Sequence, residues 1–365
     1  MICNDFQDKK LSLLGFGTMR LPVSEEGIID EAQVAAMTDY ALAHGINYFD
    51  TAYPYHNGES ERVIGRVLRA HPRDSYYLAT KYPGQRFSAE EQNPAKIFEE
   101  QLEKCGVDYF DFYLLHAVSE KQDLHFKKTH AYEVARQLKA QGRVRHLGFS
   151  FHDSAAFLDN FLSAHPEMEF VQIQFNYADY EDPGVESRKC YEVCRKHGKP
   201  VLIMEPVKGG SLINLPQEAL DMMDASPASY AIRYAAGFEG VVMVLSGMSD
   251  MAQMEDNLSF MTNFVPLHQK EHQIIDHART LYQSQHRIPC TACRYCTDGC
   301  PAAVPIPDIF ALLNRKRTGE GQPDQDYASM SVHADACIEC GKCEAECPQH
   351  LHIRRLLKEV AKVFG

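Results

Sequence analysis

Short apolar runs alternate with amphipathic stretches eight times between residues 13 and 247 of this chain. The apolar runs are predicted to be strands, and their near-continuous apolar character is typical of parallel strands buried on both faces. The eight predicted strands are LLGFGTM (13–19), INYFDTA (46–52), SYYLATK (75–81), FDFYLLH (110–116), HLGFSFH (146–152), FVQIQFN (170–176), PVLIMEP (200–206) and VVMVLSG (241–247).

The stretches between these strands are predicted to be helices. One of them, NPAKIFEEQLEKCG, has Pro94 near its start and Gly106 just past its end, the usual order of these residues at helix boundaries. Eight strand–helix units fit a closed (β/α)8 TIM barrel better than an open doubly wound sheet. No GxGxxG motif follows the first strand, which argues against a Rossmann fold. We therefore expect an α/β barrel over residues 1–265.

The overall composition excludes several classes of protein. The formal net charge of −13 argues against nucleic acid as a partner, because a phosphate-binding surface must be basic. No run approaches the ~20 consecutive apolar residues of a membrane span. The start, MICNDFQDKK, lacks the basic and apolar regions of a secretory signal. Twelve cysteines in such a chain indicate reduced thiols and metal ligation, and we expect a cytoplasmic protein.

Ionisable residues stand at the ends of three predicted strands. Asp50 comes at the end of strand two, with Tyr55 in the loop that follows, while Lys81 ends strand three and His116 ends strand four. Each residue alone has an ordinary explanation, such as a solvated strand end, a satisfied histidine or packing. In a barrel, however, the C-terminal strand ends together form the active site. Four complementary groups at one barrel mouth therefore predict a catalytic site.

These four groups suit the reduction of a carbonyl. A hydride added to a carbonyl carbon leaves an alkoxide, which needs a proton donor and a positive environment. A tyrosine, with a usual pKa of about 10, is a weak acid at neutral pH unless a cation lowers its pKa. Lys81 can supply that cation, Asp50 can hold Lys81, and His116 can hydrogen-bond the carbonyl oxygen.

The chain resembles the aldo-keto reductase family over roughly residues 11–265. The resemblance is carried by LLGFGTMRLP, INYFDTAYPYHNGESERVIG, YLATK, CGVDYFDFYLLH, RVRHLGFSFH, VQIQFNY and SGMSDMAQMEDNL. The combination of FDTAxxY, GxSE, TK and DxxLLH is highly specific. The family's catalytic residues fall on Asp50, Tyr55, Lys81 and His116. The resemblance implies that Tyr55 is the general acid in reduction and the base in oxidation.

The resemblance also implies a nicotinamide cofactor bound across the barrel mouth. Ser150 and Gln172 would hold its carboxamide, the loop after Pro206 would lie along the pyrophosphate, and Asn257 would lie near the adenine. The residues expected to contact the cofactor are Gly17, Thr18, Met19, Ser150, Gln172, Met204, Gly209, Gly210 and Asn257.

Three positions depart from the family pattern. Phe151 stands where many members have Asn, and Met204, beside Glu205, stands where an aromatic commonly stacks on the nicotinamide. The stretch GMSDMAQMEDN lacks the Lys or Arg that grips a 2′-phosphate. NAD and NADP therefore both stay open as the cofactor.

The motif CxxCxxCxxxCP occurs twice after residue 289. Each [4Fe–4S] cluster needs four thiolates, and in two-cluster proteins the cysteine before proline ligates the other cluster. In this crossover arrangement, one cluster is bound by Cys290, Cys293, Cys296 and Cys347, and the second by Cys337, Cys340, Cys343 and Cys300. Zinc is the alternative, but zinc sites usually pair two CxxC units with four ligands in all.

This tail resembles a bacterial-type two-cluster ferredoxin. Ile309, Leu312 and Leu313 are predicted to share one helical face, and Ile353, Leu356, Leu357, Val360 and Phe364 another, which favours a mainly helical domain. We expect residues 290–365 to form this domain and residues 266–289 to form a helical connector.

Three interpretations of the tail remain open. The clusters could relay electrons between the barrel and a ferredoxin or other redox protein, or they could be structural or sense oxygen beside an ordinary reductase. In the third, the chain is a non-catalytic electron-transfer subunit. A nicotinamide moves two electrons as hydride whereas a cluster passes one, so a relay implies an undetected flavin or a similar switch. The four residues at the strand ends favour an enzyme acting on a small carbonyl or alcohol.

Overall fold

Eight parallel strands form a closed barrel in the computed structural model, which describes residues 1–84 and 92–365. Each barrel strand pairs with its neighbour along the chain, and the last closes on the first. The predicted (β/α)8 barrel is confirmed. The strands are β1 (Cys3–Phe6), β2 (Lys9–Ser12), β3 (Leu14–Gly17), β4 (Tyr48–Asp50), β5 (Tyr77–Tyr82), β6 (Phe110–Val118), β7 (Val144–Phe151), β8 (Phe170–Gln174), β9 (Val201–Met204) and β10 (Val241–Gly247).

Helices follow the barrel strands as the sequence predicts. In α3, Asn93 caps the first turn by accepting hydrogen bonds from the amides of Ala95 and Lys96, and Gly106 ends the helix in a left-handed conformation. Among the described residues, no helix combines the length and the apolar character that crossing a bilayer requires. The helices are α1 (Glu31–Ala43), α2 (Glu59–Leu68), α3 (Pro94–Cys105), α4 (Glu120–Lys128), α5 (Ala131–Ala140), α6 (Ala155–Ala164), α7 (Ser187–Lys196), α8 (Gln217–Leu220), α9 (Pro227–Ala236), α10 (Met251–Met261), α11 (Gln269–Ser284), α12 (Ile306–Thr318), α13 (Pro323–Ala328), α14 (Lys342–Ala345) and α15 (Ile353–Phe364).

An antiparallel hairpin, β1–β2, precedes the barrel and closes the end at which the strands begin. Phe6 packs against Phe112 and Phe170 inside the barrel, with ring centroids 5.4 and 5.8 Å apart. In the turn of the hairpin, the Gln7 side chain donates a 2.8 Å hydrogen bond to Glu169. The hairpin therefore seals the apolar core at the end opposite the predicted catalytic residues.

Glu169 is a partly buried carboxylate with several donors around it. Burial raises its pKa, but hydrogen bonds from His146, Lys139 and the Leu147 amide outweigh that effect and bring the pKa of Glu169 to about 2. The ionised Glu169 carboxylate therefore links the hairpin to β7 and to α5, the helix before β7.

The described residues divide into two compact units. The first comprises Met1–Pro206 and Ala228–His268, and the second comprises Val207–Pro227 and Gln269–Gly365. The second unit is mainly helical, as predicted, and it includes the short helix α8 from the segment that follows β9. The limits of the predicted connector and tail domain stay a prediction.

The core of the second unit is formed by the predicted apolar faces of α12 and α15. Ile309 and Leu313 on α12 and Leu357 and Val360 on α15 are each at most 2% exposed and belong to one apolar cluster. Fully burying side chains of this size stabilises a fold by about 1.5–3 kcal/mol each. These two helices therefore supply much of the packing around the cysteine-bearing loops.

Candidate active site and cluster cavities

The structure brings Asp50, Tyr55, Lys81 and His116 together at the C-terminal ends of three adjacent strands. Asp50 ends β4, Tyr55 lies in the turn that follows, Lys81 is the penultimate residue of β5, and His116 lies in β6. All four side chains are buried. The Lys81 ammonium donates to Asp50 Oδ1 at 2.5 Å and to the Tyr55 hydroxyl at 3.3 Å, and the rings of Tyr55 and His116 meet edge to face.

Lys81 supplies the positive charge among these four residues. Burial lowers the pKa of Lys81, while the charge and hydrogen bond of Asp50 and the more distant charge of Glu61 oppose that shift. The ammonium makes a further 2.7 Å hydrogen bond to the Thr51 carbonyl. Its position, 4.8 Å from the centroid of the Tyr55 ring, places a positive charge beside the phenol. Such a charge stabilises a phenolate over a phenol.

A buried polar network behind Lys81 was not predicted from the sequence. The Glu61 carboxylate accepts hydrogen bonds from Thr80 at 2.6 Å and from Gln101 at 2.7 Å. The Gln101 amide also donates to the Lys81 carbonyl at 3.1 Å and its oxygen accepts from Tyr113 at 2.7 Å. The network fixes the backbone that carries Lys81. Glu61 belongs to the GxSE stretch, so its presence was visible, but its partners are far away in sequence.

A kink in β6, next to His116, brings the backbone within hydrogen-bonding distance of Ser150. The register between β6 and β7 shifts between Leu115 and Val118, and Ala117 adopts a left-handed backbone conformation with φ of +54°. The Ala117 amide then donates a 2.8 Å hydrogen bond to the Ser150 hydroxyl. The irregularity costs on the order of 1 kcal/mol in a non-glycine residue and orients the backbone next to His116.

Several residues predicted to contact the nicotinamide lie near these strand ends. Ser150 and Gln172 are register partners in β7 and β8, and both are buried. The Gln172 carboxamide oxygen is buried and has no hydrogen-bond partner among the described residues. Because buried polar atoms are nearly always paired, this oxygen fits an amide donor of a ligand such as the nicotinamide carboxamide.

The other predicted cofactor residues of the first unit are also at strand ends. Gly17 ends β3 opposite Asp50, and the Thr18 hydroxyl donates to the Asp50 carbonyl at 3.0 Å. Met19 follows it, and Met204 ends β9. Asn257, on α10, donates a 2.8 Å hydrogen bond to Ser246 in β10. Their contacts with a cofactor stay a prediction.

Gly209 and Gly210 belong to the second unit. Both have left-handed backbones, with φ of +62° and +91°. A Cβ on Gly209 would lie 2.6 Å from the Thr291 carbonyl oxygen, whereas one on Gly210 would meet nothing within 4 Å. Thr291 follows the first cysteine of the tail. Gly209 is therefore required for close backbone packing against the first cysteine loop, and the pyrophosphate contact predicted for this pair is untested.

Two cavities in the second unit are each lined by four of the eight tail cysteines. The first cluster cavity is lined by Cys290, Cys293, Cys296 and Cys347. The second cluster cavity is lined by Cys300, Cys337, Cys340 and Cys343. This is the crossover grouping that the sequence predicts, and four thiols around one cavity match the needs of a cubane cluster. Ile306 lines both cavities and so separates them.

The remaining cysteines show no such grouping. Cys190 and Cys194 share a face of α7 and are both buried, and burial raises the pKa of Cys190 to about 12. Cys105 is buried at the end of α3, and Cys3 is exposed. Two thiols on one helix face are half of the four that a cubane cluster needs, so we assign the α7 pair to packing.

Several known proteins resemble a large part of this chain. L-galactose dehydrogenase from Arabidopsis thaliana is 28% identical over 286 residues, which cover 71% of this chain and 86% of that protein. NADH-specific methylglyoxal reductase from Escherichia coli (strain K12) is 26% identical over 223 residues, which cover 56% of this chain and just under two thirds of that protein. The holo form of aldo-keto reductase AKR11C1 from Bacillus halodurans superposes with a TM-score of 0.61 at 24% identity, covering 74% of this chain and 93% of that chain.

Two family models match, one in each part. Residues 289–351 match the 4Fe-4S dicluster domain, in agreement with the two four-cysteine cavities. Residues 13–225, more than half of the chain, match the aldo/keto reductase family, in agreement with the barrel. The chain therefore belongs to the aldo/keto reductase family and also contains a 4Fe-4S dicluster domain.

Proposed function

We propose that this protein interconverts a small carbonyl compound and an alcohol with a nicotinamide cofactor, and that Tyr55 is the proton donor in reduction. The observation that carries the proposal is the position of the Lys81 ammonium, bound to Asp50 at 2.5 Å and to the Tyr55 hydroxyl at 3.3 Å. The ammonium stabilises the phenolate that remains after Tyr55 has given its proton to the substrate oxygen. In oxidation the same phenolate accepts the proton of the alcohol.

The other groups position the reactants. His116 meets the edge of the Tyr55 ring, with centroids 6.0 Å apart, and would hydrogen-bond the substrate oxygen from beside the phenol. Ser150 and Gln172 would hold the nicotinamide carboxamide, which the unpartnered Gln172 oxygen supports. The nicotinamide, when bound, supplies the hydride for reduction or accepts it in oxidation.

Both nicotinamide cofactors are candidates. The stretch from Gly247 to Asn257 has no Lys or Arg to bind a 2′-phosphate, which favours NADH. The E. coli relative is named as NADH-specific, whereas an aldo-keto reductase from Klebsiella pneumoniae has been solved in complex with NADPH. Measuring the affinity for NADH and NADPH separately decides between them.

Replacing Tyr55 with Phe tests the catalytic proposal. General acid catalysis contributes about 10²–10⁴-fold, so kcat for carbonyl reduction should fall by that factor, with cluster absorbance unchanged. Tyr48→Phe is the matched control. Tyr48 is fully buried at the start of β4, and its hydroxyl has no hydrogen-bond partner among the described residues. Full activity in Tyr55→Phe, or an equal loss in Tyr48→Phe, would contradict the assignment.

The clusters are proposed to relay electrons rather than only to hold the tail folded. The support is the pair of four-cysteine cavities, which share Ile306 as a common wall. A structural role would need only one cluster. A redox protein that carries single electrons is the expected partner, and a bound flavin would couple its electrons to hydride transfer.

An anaerobic titration tests this relay. The protein is titrated with NADH and, separately, with NADPH while cluster reduction is followed by EPR. Reduction by either cofactor supports a path between nicotinamide and clusters and implies a flavin. If neither cofactor reduces clusters that dithionite does reduce, the clusters are structural or need an external partner.

A further inference from the structure

The two cluster cavities differ in their exposure to solvent. Among the eight tail cysteines, Cys340 of the second cavity is the exposed one, and the others are partly or fully buried. Ile338, which lines the same cavity, is 65% exposed, an unusual value for a large apolar side chain. The second cavity therefore has an edge at the protein surface. Buried apolar side chains line both cavities, Phe310 and Ile353 in the first and Val304 and Leu357 in the second, so the difference lies at Ile338 and Cys340.

The second cavity also has more positive charge along its wall. Arg354 and Lys342 both line it. The Arg354 guanidinium packs on Gly341, where a Cβ would lie 3.7 Å from its Cζ, so it lies directly over the loop between Cys340 and Cys343. Glu344 holds Arg354 through bonds of 2.9 and 2.7 Å to its side chain and 2.9 Å to its backbone amide.

Arg354 is the member of the ion pair that lines the cavity, while the charge of Glu344 also acts on the Cys343 thiol. The first cavity has a single such pair, in which Arg294 lines the wall and Asp308 binds it at 2.7 and 3.0 Å. Two cations, Arg354 and Lys342, line the second cavity, whereas Arg294 is the lining cation of the first. At the exposed edge of the second cavity, Glu339 is paired with Lys358 at 2.6 Å.

We propose that the cluster of the second cavity has the higher reduction potential of the two and exchanges single electrons with an external redox protein at the Ile338–Cys340 edge. This inference rests on the proposed loading of both cavities with [4Fe–4S] clusters. Reduction adds one negative charge to a cluster, and both nearby cations and exposure to solvent stabilise that charge. One electron leaves the external donor, which is oxidised by one electron, and enters the second cluster. No covalent bond forms or breaks.

An EPR-monitored potentiometric titration of the two-cluster protein tests the order of the potentials. Arg354→Gln should lower the higher of the two midpoint potentials and leave the lower one in place. The expected change is about ten-fold in the ratio of reduced to oxidised cluster at a fixed potential, or about 59 mV for a one-electron couple. Arg294→Gln should instead lower the lower potential. Arg355→Gln is the matched control, because Arg355 is exposed and lines neither cavity.

The variant Glu344→Gln separates charge from structure. It breaks the same ion pair as Arg354→Gln but removes a negative charge, so the higher potential should rise rather than fall. If the two variants shift the potential in the same direction, distortion of the loop explains the effect and the role of Arg354 is overturned. Equal midpoint potentials in the unaltered protein, or an equal shift in Arg355→Gln, would also overturn the proposal.

A paramagnetic relaxation measurement tests the exposed edge. In the half-reduced protein only the higher-potential cluster gives a signal, and an added dysprosium chelate should shorten its relaxation more than that of the second signal, which appears on full reduction. The opposite order would overturn the surface assignment. Neither measurement needs nicotinamide or a carbonyl substrate. Failure of Tyr55→Phe to lose activity would therefore refute the catalytic proposal and leave this one standing.

Discussion

Replacing Asp50 with Asn should destabilise the barrel unit far more than the same change at Asp5. Each carboxylate binds a lysine ammonium at 2.5 Å, so the two ion pairs have the same separation. They differ in burial. The side chains of Lys81 and Asp50 are 1% and 4% exposed, whereas those of Lys10 and Asp5 are 69% and 74% exposed. Burial should therefore determine the difference in the free energy of unfolding.

The two costs follow from the solvation of the lysine that is left behind. Removing one partner of a buried pair leaves an uncompensated charge and costs about 3–5 kcal/mol. An exposed pair contributes about 0–1 kcal/mol, because water solvates the remaining charge. The double variant Asp50→Asn with Lys81→Met should recover most of the loss, since it removes the unpaired charge as well.

Urea denaturation followed by far-ultraviolet circular dichroism measures these free energies. The chain has no tryptophan, so fluorescence of that residue is not a useful probe. Absorbance of the clusters, recorded in the same titration, follows the second unit and separates its unfolding from that of the barrel. If Asp50→Asn and Asp5→Asn differ by less than about 1 kcal/mol, or if the double variant is no more stable than Asp50→Asn, the reasoning is refuted.

Three further predictions follow from features of the two units. The pKa of Glu169 is lowered to about 2 in the folded state, so the stabilisation that Glu169 provides is present above about pH 4.5 and is lost as the pH falls towards 2. Glu169→Gln should therefore weaken the fall of the unfolding free energy with acid pH, measured by circular dichroism. An unchanged fall in the variant would contradict this. Gly209→Ala should reduce iron content and broaden the EPR signal of the first cluster, while Gly210→Ala, equally left-handed but with free space, should not. Cys347→Ser should remove the first cluster and Cys300→Ser the second, as measured by iron content and EPR. If Cys347→Ser removed the second cluster, or Cys300→Ser the first, the crossover would be refuted.

The barrel and its catalytic residues could be predicted because their signals are local. All eight predicted strands overlap the strands of the structure, since parallel strands buried on both faces are near-continuous apolar runs. The β1–β2 hairpin was missed because its strands, CNDF and KKLS, are rich in polar residues, so the buried Phe6 and Leu11 do not form an apolar run.

Interactions between distant parts of the chain could not be predicted. The carboxylate of Glu61 meets Thr80 and Gln101, which lie 19 and 40 residues away, and no spacing rule connects them. The kink at Ala117 was equally hidden, because alanine carries no preference for a left-handed backbone. Sequence patterns record which face of an element is apolar, but they do not record the partner of a single polar atom.

The division of the chain into units has a consequence for how such a protein can be rearranged. The second unit takes one segment, Val207–Pro227, from between a strand and a helix of the barrel, as well as everything after His268. Within that unit, the Glu218 carboxylate on α8 lies 3.4 Å from the His277 ring on α11, and Gly209 packs against Thr291. Cutting the chain at residue 268 would therefore strip the inner segment of its neighbours. Recombination at a single junction could therefore neither add nor remove the second unit, and any exchange between relatives has to carry both segments together.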